Sequence, residues 1–178
     1  MIDKSALRTL LRVARDRFGR DGAMRVPDAF RKRLRRGVTV ASYTPIGSEA
    51  DPAPFHEAAI EAGCRIALPH VTSRAAPMRF LQWDGVAPLV EGPFQLRQPH
   101  ANAAALCPDI ILAPLLGFDH AGNRIGQGAG HYDRAFTAYP HAWRVGIAWS
   151  VQQVDKLITD PWDVALHVIA TETDWIVP

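Results

Sequence analysis

Gly122-Asn123-Arg124-Ile125-Gly126-Gln127-Gly128-Ala129-Gly130-His131-Tyr132-Asp133-Arg134 gathers into one short stretch the groups that phosphate chemistry needs. Glycine has no Cβ, so Gly126, Gly128 and Gly130 can take positive φ and let consecutive backbone N–H groups converge on an anion. The helix expected from His131 to Ala138 would add the positive end of its dipole. Arg124 and Arg134 flank the loop as full charges, and Asp133 is placed to hold a divalent cation against bound phosphates. The stretch lacks the Lys-Ser/Thr ending of a P-loop, and its position and spacing do not match a dinucleotide fingerprint. Taken alone, its glycines would serve a tight strand-to-helix turn equally well.

Such a loop acts only if the chain around it is held rigidly. Asp109 to Pro114 is the strongest apolar, β-branched run and feeds the loop through Leu115 to Asn123. Upstream, Leu7, Leu10, Leu11, Ala14 and Phe18 recur at helical spacing over Asp3–Phe18, while Lys4, Arg8, Arg12 and Arg15 follow another face. A second helix is expected from Asp28, as N-cap, to Arg36, with Gly37 ending it and Gly19–Pro27 as the connection. Strands are expected at Val38–Tyr43, Arg65–Pro69, Met78–Trp83, Arg144–Ser150 and Leu166–Thr171, with a helix at Pro54–Ala62. Gly85–Pro99 shows no period and reads as loop. Apolar strands alternating with helices predict an α/β, Rossmann-like three-layer sandwich with a mainly parallel central sheet. Ligands of such sheets gather at the carboxyl ends of the strands, where Tyr43–Asp51 and Asn123–Asp133 would both lie.

A length of 178 residues fits a single domain spanning 1–178. The net charge of +2 is nearly neutral, yet arginines crowd the first 36 residues, Arg20 among them. That asymmetry admits a nucleic-acid reading, but no reading motif or aromatic platform accompanies it, and solvated helix faces account for most of these charges. Cys64 and Cys107 form no close pair, and the histidines are scattered, so a disulfide framework or a structural zinc is not expected. Charges interrupt the first twenty residues every few positions, and no apolar run is long enough to span a bilayer. The expected protein is a cytosolic monomer acting on small molecules, with neither nucleic acid nor membrane as partner.

Several separated motifs coincide with one family. The chain resembles the 5-formyltetrahydrofolate cyclo-ligases, also called methenyltetrahydrofolate synthetases, over nearly its whole length. The resembling pieces are Lys4-x-x-x-Arg8, Tyr43–Asp51 with its Glu49-x-Asp51 step, Leu68-Pro69, Met78-Arg79-Phe80 and Gln98-Pro99. Asp109–Asp119, Gly122–Arg134, and Val145–Ala148 followed by Gln152 or Gln153 complete the set. Gly117-Phe118-Asp119 with the glycine stretch is the specific part, and the others matter through their order.

The resemblance implies an ATP- and Mg2+-dependent ring closure: the formyl oxygen of 5-formyltetrahydrofolate is phosphorylated, the second folate nitrogen attacks, and phosphate leaves to give 5,10-methenyltetrahydrofolate. It implies that Lys4, Arg8, Arg124 and the Gly126–Gly130 backbone bind ATP, together with His131, Tyr132 and Asp133. Asp133 and Asp163 would hold magnesium. Thr44, Glu49 and Phe94 would meet the folate, with Gln127, Gly128, Ala129, Gly130 and His131 lining the junction of the two ligands. Arg124 and Tyr132 would be the catalytic pair. Where many relatives carry glycine or lysine this chain has Ala129, whose Cβ restricts φ in a loop whose amides must converge. That departure keeps open an alternative, a non-catalytic folate- or nucleotide-binding protein on the same scaffold.

Overall fold

The computed structural model describes residues 3–19 and 23–178; Arg20 and the middle of the Gly19–Pro27 connection lie outside them. The chain runs through α1 (Lys4–Arg17), α2 (Asp28–Arg31), β1 (Thr39–Ala41), α3 (Ala53–Glu61), β2 (Arg65–His70), β3 (Arg79–Trp83), β4 (Val90–Glu91) and β5 (Arg97–Gln98). It continues through β6 (Ile110–Pro114), β7 (Gly117–Phe118), β8 (Arg124–Ile125), α4 (His131–Ala138), β9 (Trp143–Ile147), β10 (Val168–Ala170) and β11 (Trp175–Ile176).

Seven strands form the central sheet in the order β11-β10-β9-β6-β1-β2-β3. The inner strands pair parallel, and β11 and β3 close the two edges antiparallel. Because successive side chains leave a strand on opposite faces, the continuous apolar run of β6 is divided between two cores. Ile110 and Leu112 join Val40, Ile66 and Val145 beneath Phe30 of α2 and Phe55 of α3. Ile111 and Ala113 face the other way, against Ala135 and Phe136 of α4. Phe30, Phe55 and Phe136 are at most 1% exposed, each a burial worth roughly 2–3 kcal/mol. Helix α1 stands apart, packing Leu11 against Leu116, Ile125 and Leu157.

This connectivity makes the crevice. From β1 the chain crosses through α3 to β2 on one side, and from β6 it crosses through α4 to β9 on the other, although β1 and β6 are neighbours. The connections therefore part at the carboxyl ends of β1 and β6, the place where open α/β sheets leave room for a ligand.

The expected long elements occur, with shifted ends. The helix expected over Asp28–Arg36 stops at Arg31, and Asp28 is its first residue, with Pro27 in the cap position. Past it the chain tightens into i→i−3 bonds, Arg33 N–H to Phe30 O and Leu34 N–H to Arg31 O, as Arg33 lies over the Trp143 ring at 4.1 Å. Gly85–Pro99 is not all loop: β4 and β5 pair antiparallel around a short 3-10 turn at Pro93–Gln95. Likewise β7 and β8 form a two-stranded hairpin leading into the glycine loop. Two-residue strands are too short to show a period, which is why the sequence pattern passes over them.

Candidate active site

A cleft of about 690 Å³ opens at the β1/β6 crevice, within the range of small-molecule sites. Every residue singled out from the sequence lines it: Lys4, Arg8, Thr44, Glu49, Phe94, Arg124, Gly126 to Asp133, and Asp163. Arg74, Arg134, Asp160 and Trp162 line it as well.

The glycine loop leaves β8 and ends as the start of α4. Gly128 and Gly130 sit at φ +97° and +67°, values a side chain tolerates poorly, and Gly130 occupies the helix cap. Ala129 is not among the positive-φ residues, so its Cβ falls where the backbone accepts one. The departure at Ala129 does not distort the loop.

Cations bind this loop by its carbonyls. Arg8 Nε donates to Gly126 O at 3.0 Å, Arg74 to Gly128 O at 2.9 Å and Arg134 to Ala129 O at 3.0 Å. In a trans peptide the following N–H points opposite to the carbonyl, so the amides of Gln127, Ala129 and Gly130 turn away from those arginines. None of the amides from Gln127 to Gly130 has a protein acceptor among the described residues. Two side-chain donors beside the loop are also buried without a partner, Arg124 Nε and His131 Nε2. Arg134 donates to His131 Nδ1 at 2.9 Å; an arginine can only donate, so the imidazole proton sits on Nε2. Burial, then the neighbouring Arg134 and Arg74, keep the imidazole pKa below its usual value and favour this neutral form.

The acids of this end are paired. Arg124 lies over the Phe136 ring and binds Asp133 Oδ1 at 2.6 Å, an atom that also faces Val164 N–H at 3.4 Å. Lys4 reaches across the cleft to Asp160 Oδ2 at 2.6 Å and Asp163 Oδ2 at 2.9 Å. Burial works against ionisation of Asp163, but the Asp160 amide, Lys4 and Arg124 outweigh it and hold its pKa below the usual carboxylate value. Asp133 Oδ2 and Asp163 Oδ1 keep no hydrogen-bond partner among the described residues.

The other end of the cleft is drier. Glu49 is pinned by Ile46 N–H to its Oε2 at 3.0 Å, and burial pushes its carboxyl pKa up against that bond and the nearby Arg15. Tyr132, half-buried at the base of α4, and Tyr43 have hydroxyl pKa values driven up by burial, so both stay neutral beside Glu49. Phe94 stands over the opening with 54% of its surface exposed and its ring 6.0 Å from that of His131. Phe94 and Gln95 both take φ +62°, a left-handed pair costing about 1–3 kcal/mol per residue and holding the ring outward. Chemically, one end offers unpaired donors for an anion, and the other a buried acceptor for paired N–H groups between apolar walls.

Other resembling pieces serve as frame. Gln98, 5% exposed, accepts from Val71 N–H at 3.0 Å and secures the end of β2. Asp119 accepts from the amides of Ala121, Asn123 and Leu157 and shapes the turn before the loop. Of Gln152 and Gln153, the former is buried and ties Leu115 O to Trp149 N–H, whereas the latter bonds His120.

A model of the 5-formyltetrahydrofolate cyclo-ligase family matches residues 1–172. The chain is 33% identical over 141 residues to a 5-formyltetrahydrofolate cyclo-ligase of Escherichia coli (strain K12), spanning 75% of this chain and 77% of that one. It is 34% identical over 150 residues to the protein of the same name from Mycolicibacterium smegmatis, spanning 79% and 77%. The NMR structure of 5,10-methenyltetrahydrofolate synthetase from Aquifex aeolicus superposes with a TM-score of 0.75 at 25% identity, covering 98% of this chain and 92% of that one.

Proposed function

Since the chain belongs to the 5-formyltetrahydrofolate cyclo-ligase family, we propose that its glycine loop and flanking cations hold ATP while Glu49 and Phe94 hold the reduced folate. The protein is a ligase that converts 5-formyltetrahydrofolate to 5,10-methenyltetrahydrofolate with ATP. Its reactants are small molecules, and no helix among the described residues is long and apolar enough to cross a membrane. We place it in the cytosol as a single-domain monomer.

One observation carries the residue assignment: donors without protein partners among the described residues crowd one end of the cleft, and a buried acceptor faces them from the other. A triphosphate fits the first, because loop amides, Lys4, Arg8 and Arg124 supply both directional donors and charge. A pterin edge fits the second, because Glu49 can accept two parallel N–H bonds while Phe94 covers a ring. The formyl oxygen is a poor leaving group until phosphorylated, and phosphoryl transfer needs alignment and charge stabilisation more than covalent help. Arg124 stands where charge on the transferring group would be met, and neutral Tyr132 can donate a hydrogen bond close by. The second folate nitrogen then closes the ring as phosphate departs.

Asp133 and Asp163 are the residues that would hold magnesium. Each keeps a carboxylate oxygen without a hydrogen-bond partner, and no set of three or more ligating side chains occurs among the described residues. Such a donor set suits an ion that keeps water and shares phosphate oxygens. Its chemistry there would be neutralisation of phosphate charge.

The assay is direct. Purified protein given ATP, magnesium and 5-formyltetrahydrofolate is expected to produce the near-ultraviolet absorbance of the methenyl product, and to need ATP for it. Folate binding without absorbance gain or ADP formation, at high protein concentration, would leave a binding protein instead.

A further inference from the structure

The reading of Glu49 as the pterin acceptor leaves a question of orientation, because Ile46 N–H engages only one of its oxygens. A buried cation addresses the other. From α1, Arg15 is 4% exposed, and its Nη1, buried without a hydrogen-bond partner among the described residues, stands 3.7 Å from Glu49 Oε1. Its Nε donates to Ser48 Oγ at 2.9 Å, Ser48 Oγ in turn donates to Asp16, and Trp149 Nε1 donates to Ser48 O at 3.0 Å. The guanidinium is thus locked beneath the acid by its other edge.

We propose that Arg15 is a positioning residue that holds the Glu49 carboxylate in the orientation that accepts paired N–H groups of the folate. It needs to touch no reacting atom. The groups facing Glu49 from the surrounding elements are Arg15 of α1, Tyr43 after β1, Tyr132 of α4 and Gln127 of the loop. The tyrosines are neutral, so the Ile46 N–H supplies the hydrogen bond and Arg15 the charge that oppose burial.

The test compares Arg15→Gln and Arg15→Lys with the parent chain, by steady-state kinetics and by calorimetric titration with 5-formyltetrahydrofolate alone. Loss of a hydrogen bond or charge beside a buried carboxylate corresponds to about a tenfold or greater weakening. Arg15→Gln is therefore expected to raise the folate KM and Kd by that factor and leave the ATP KM within about twofold. Removing the charge raises the Glu49 pKa, so the acid limb of kcat/KM for folate moves to higher pH; Arg15→Lys keeps a charge and should return it toward the parent. Should Arg15→Gln fail to fold, Ser48→Ala, which frees the other edge of the guanidinium, carries the comparison through the same readouts. Unchanged folate affinity and an unmoved acid limb would overturn the proposal even in an active enzyme. A parent that binds no folate would remove both this inference and the role given to Glu49, whereas a parent that binds folate but does not turn over leaves the calorimetric comparison to decide.

Discussion

The loop end and the folate end of the cleft are built on opposite plans. At the loop end the donors come largely from one contiguous stretch, and its cations rest on carbonyls or carboxylates, as in Arg8 on Gly126 O and Lys4 on Asp160 and Asp163. At the folate end Thr44 and Glu49 come from one segment and Met78 and Phe94 from two others, and one buried acid stands among apolar walls. Such resting partners are ones a triphosphate can displace, since carbonyls bind an arginine less strongly than phosphate oxygens do. A buried acceptor does something else: a ligand lacking the matching N–H groups would leave its remaining lone pairs unmet, and that penalty is where selectivity comes from. One end supplies force and the other discrimination.

If that division is right, the largest loss of rate belongs to the loop end. Arg124→Met is expected to lower kcat by about 10²–10³-fold, the usual effect of removing a preorganised charge from a developing anion, with the far-ultraviolet dichroism of the parent retained. A fall of less than about fivefold, against the same benchmark, would move Arg124 from catalysis to framework.

Next in size is the folate end. Glu49→Gln replaces an acceptor by a group that presents N–H to N–H, so kcat/KM for 5-formyltetrahydrofolate should fall by roughly 10–100-fold. The ATP KM should hardly move. Equal losses for both substrates would mean that the two ends are not separate devices, and the contrast would fail.

The same division governs what could be read from the chain. The loop end was legible because its donors, its acid and its helix are neighbours in sequence: the helix expected at His131–Ala138 is the helix observed. Even so, Asp160 went unmarked, since it lies in a loop 156 residues from its partner Lys4 and has no pattern of its own. Arg74, 54 residues from Gly128, is hidden in the same way. At the folate end Glu49, Thr44 and Phe94 were reached through family resemblance, because no local period links residues that only the β1/β6 crevice brings together. The parallel sheet was legible in its apolar runs, whereas β4, β5, β7, β8 and β11, two residues each, were not.

A smaller effect probes the loop backbone itself. Gly128→Ala forces a Cβ onto φ +97°, at a cost of about 1–2 kcal/mol, and should raise the ATP KM up to about tenfold if the loop shape is what grips phosphate. Ala129→Gly, at a position without that constraint, should leave it within about twofold. Similar behaviour of the two variants would show that glycine content, not the left-handed positions, sets the grip.

The smallest expected effect tests whether the resting ion pairs are only resting. Asp163 has a pKa lowered in the fold, by the Asp160 amide and Lys4 against the opposing effect of burial. A depressed carboxyl contributes stability that is present above its unfolded value and lost as pH falls through the lowered folded value. Lys4 and Asp163 are 27% and 21% exposed at their side chains, so solvent screening limits the contribution to about 1 kcal/mol or less. Asp163→Asn should therefore lower Tm by only a few degrees at neutral pH, and the gap from the parent should close as the solution is acidified below the ordinary aspartate range. A gap that persists in acid would mean that Asp163 is held for its shape; a large gap at neutral pH would mean that the pair is a fixed strut, which a nucleotide could not displace.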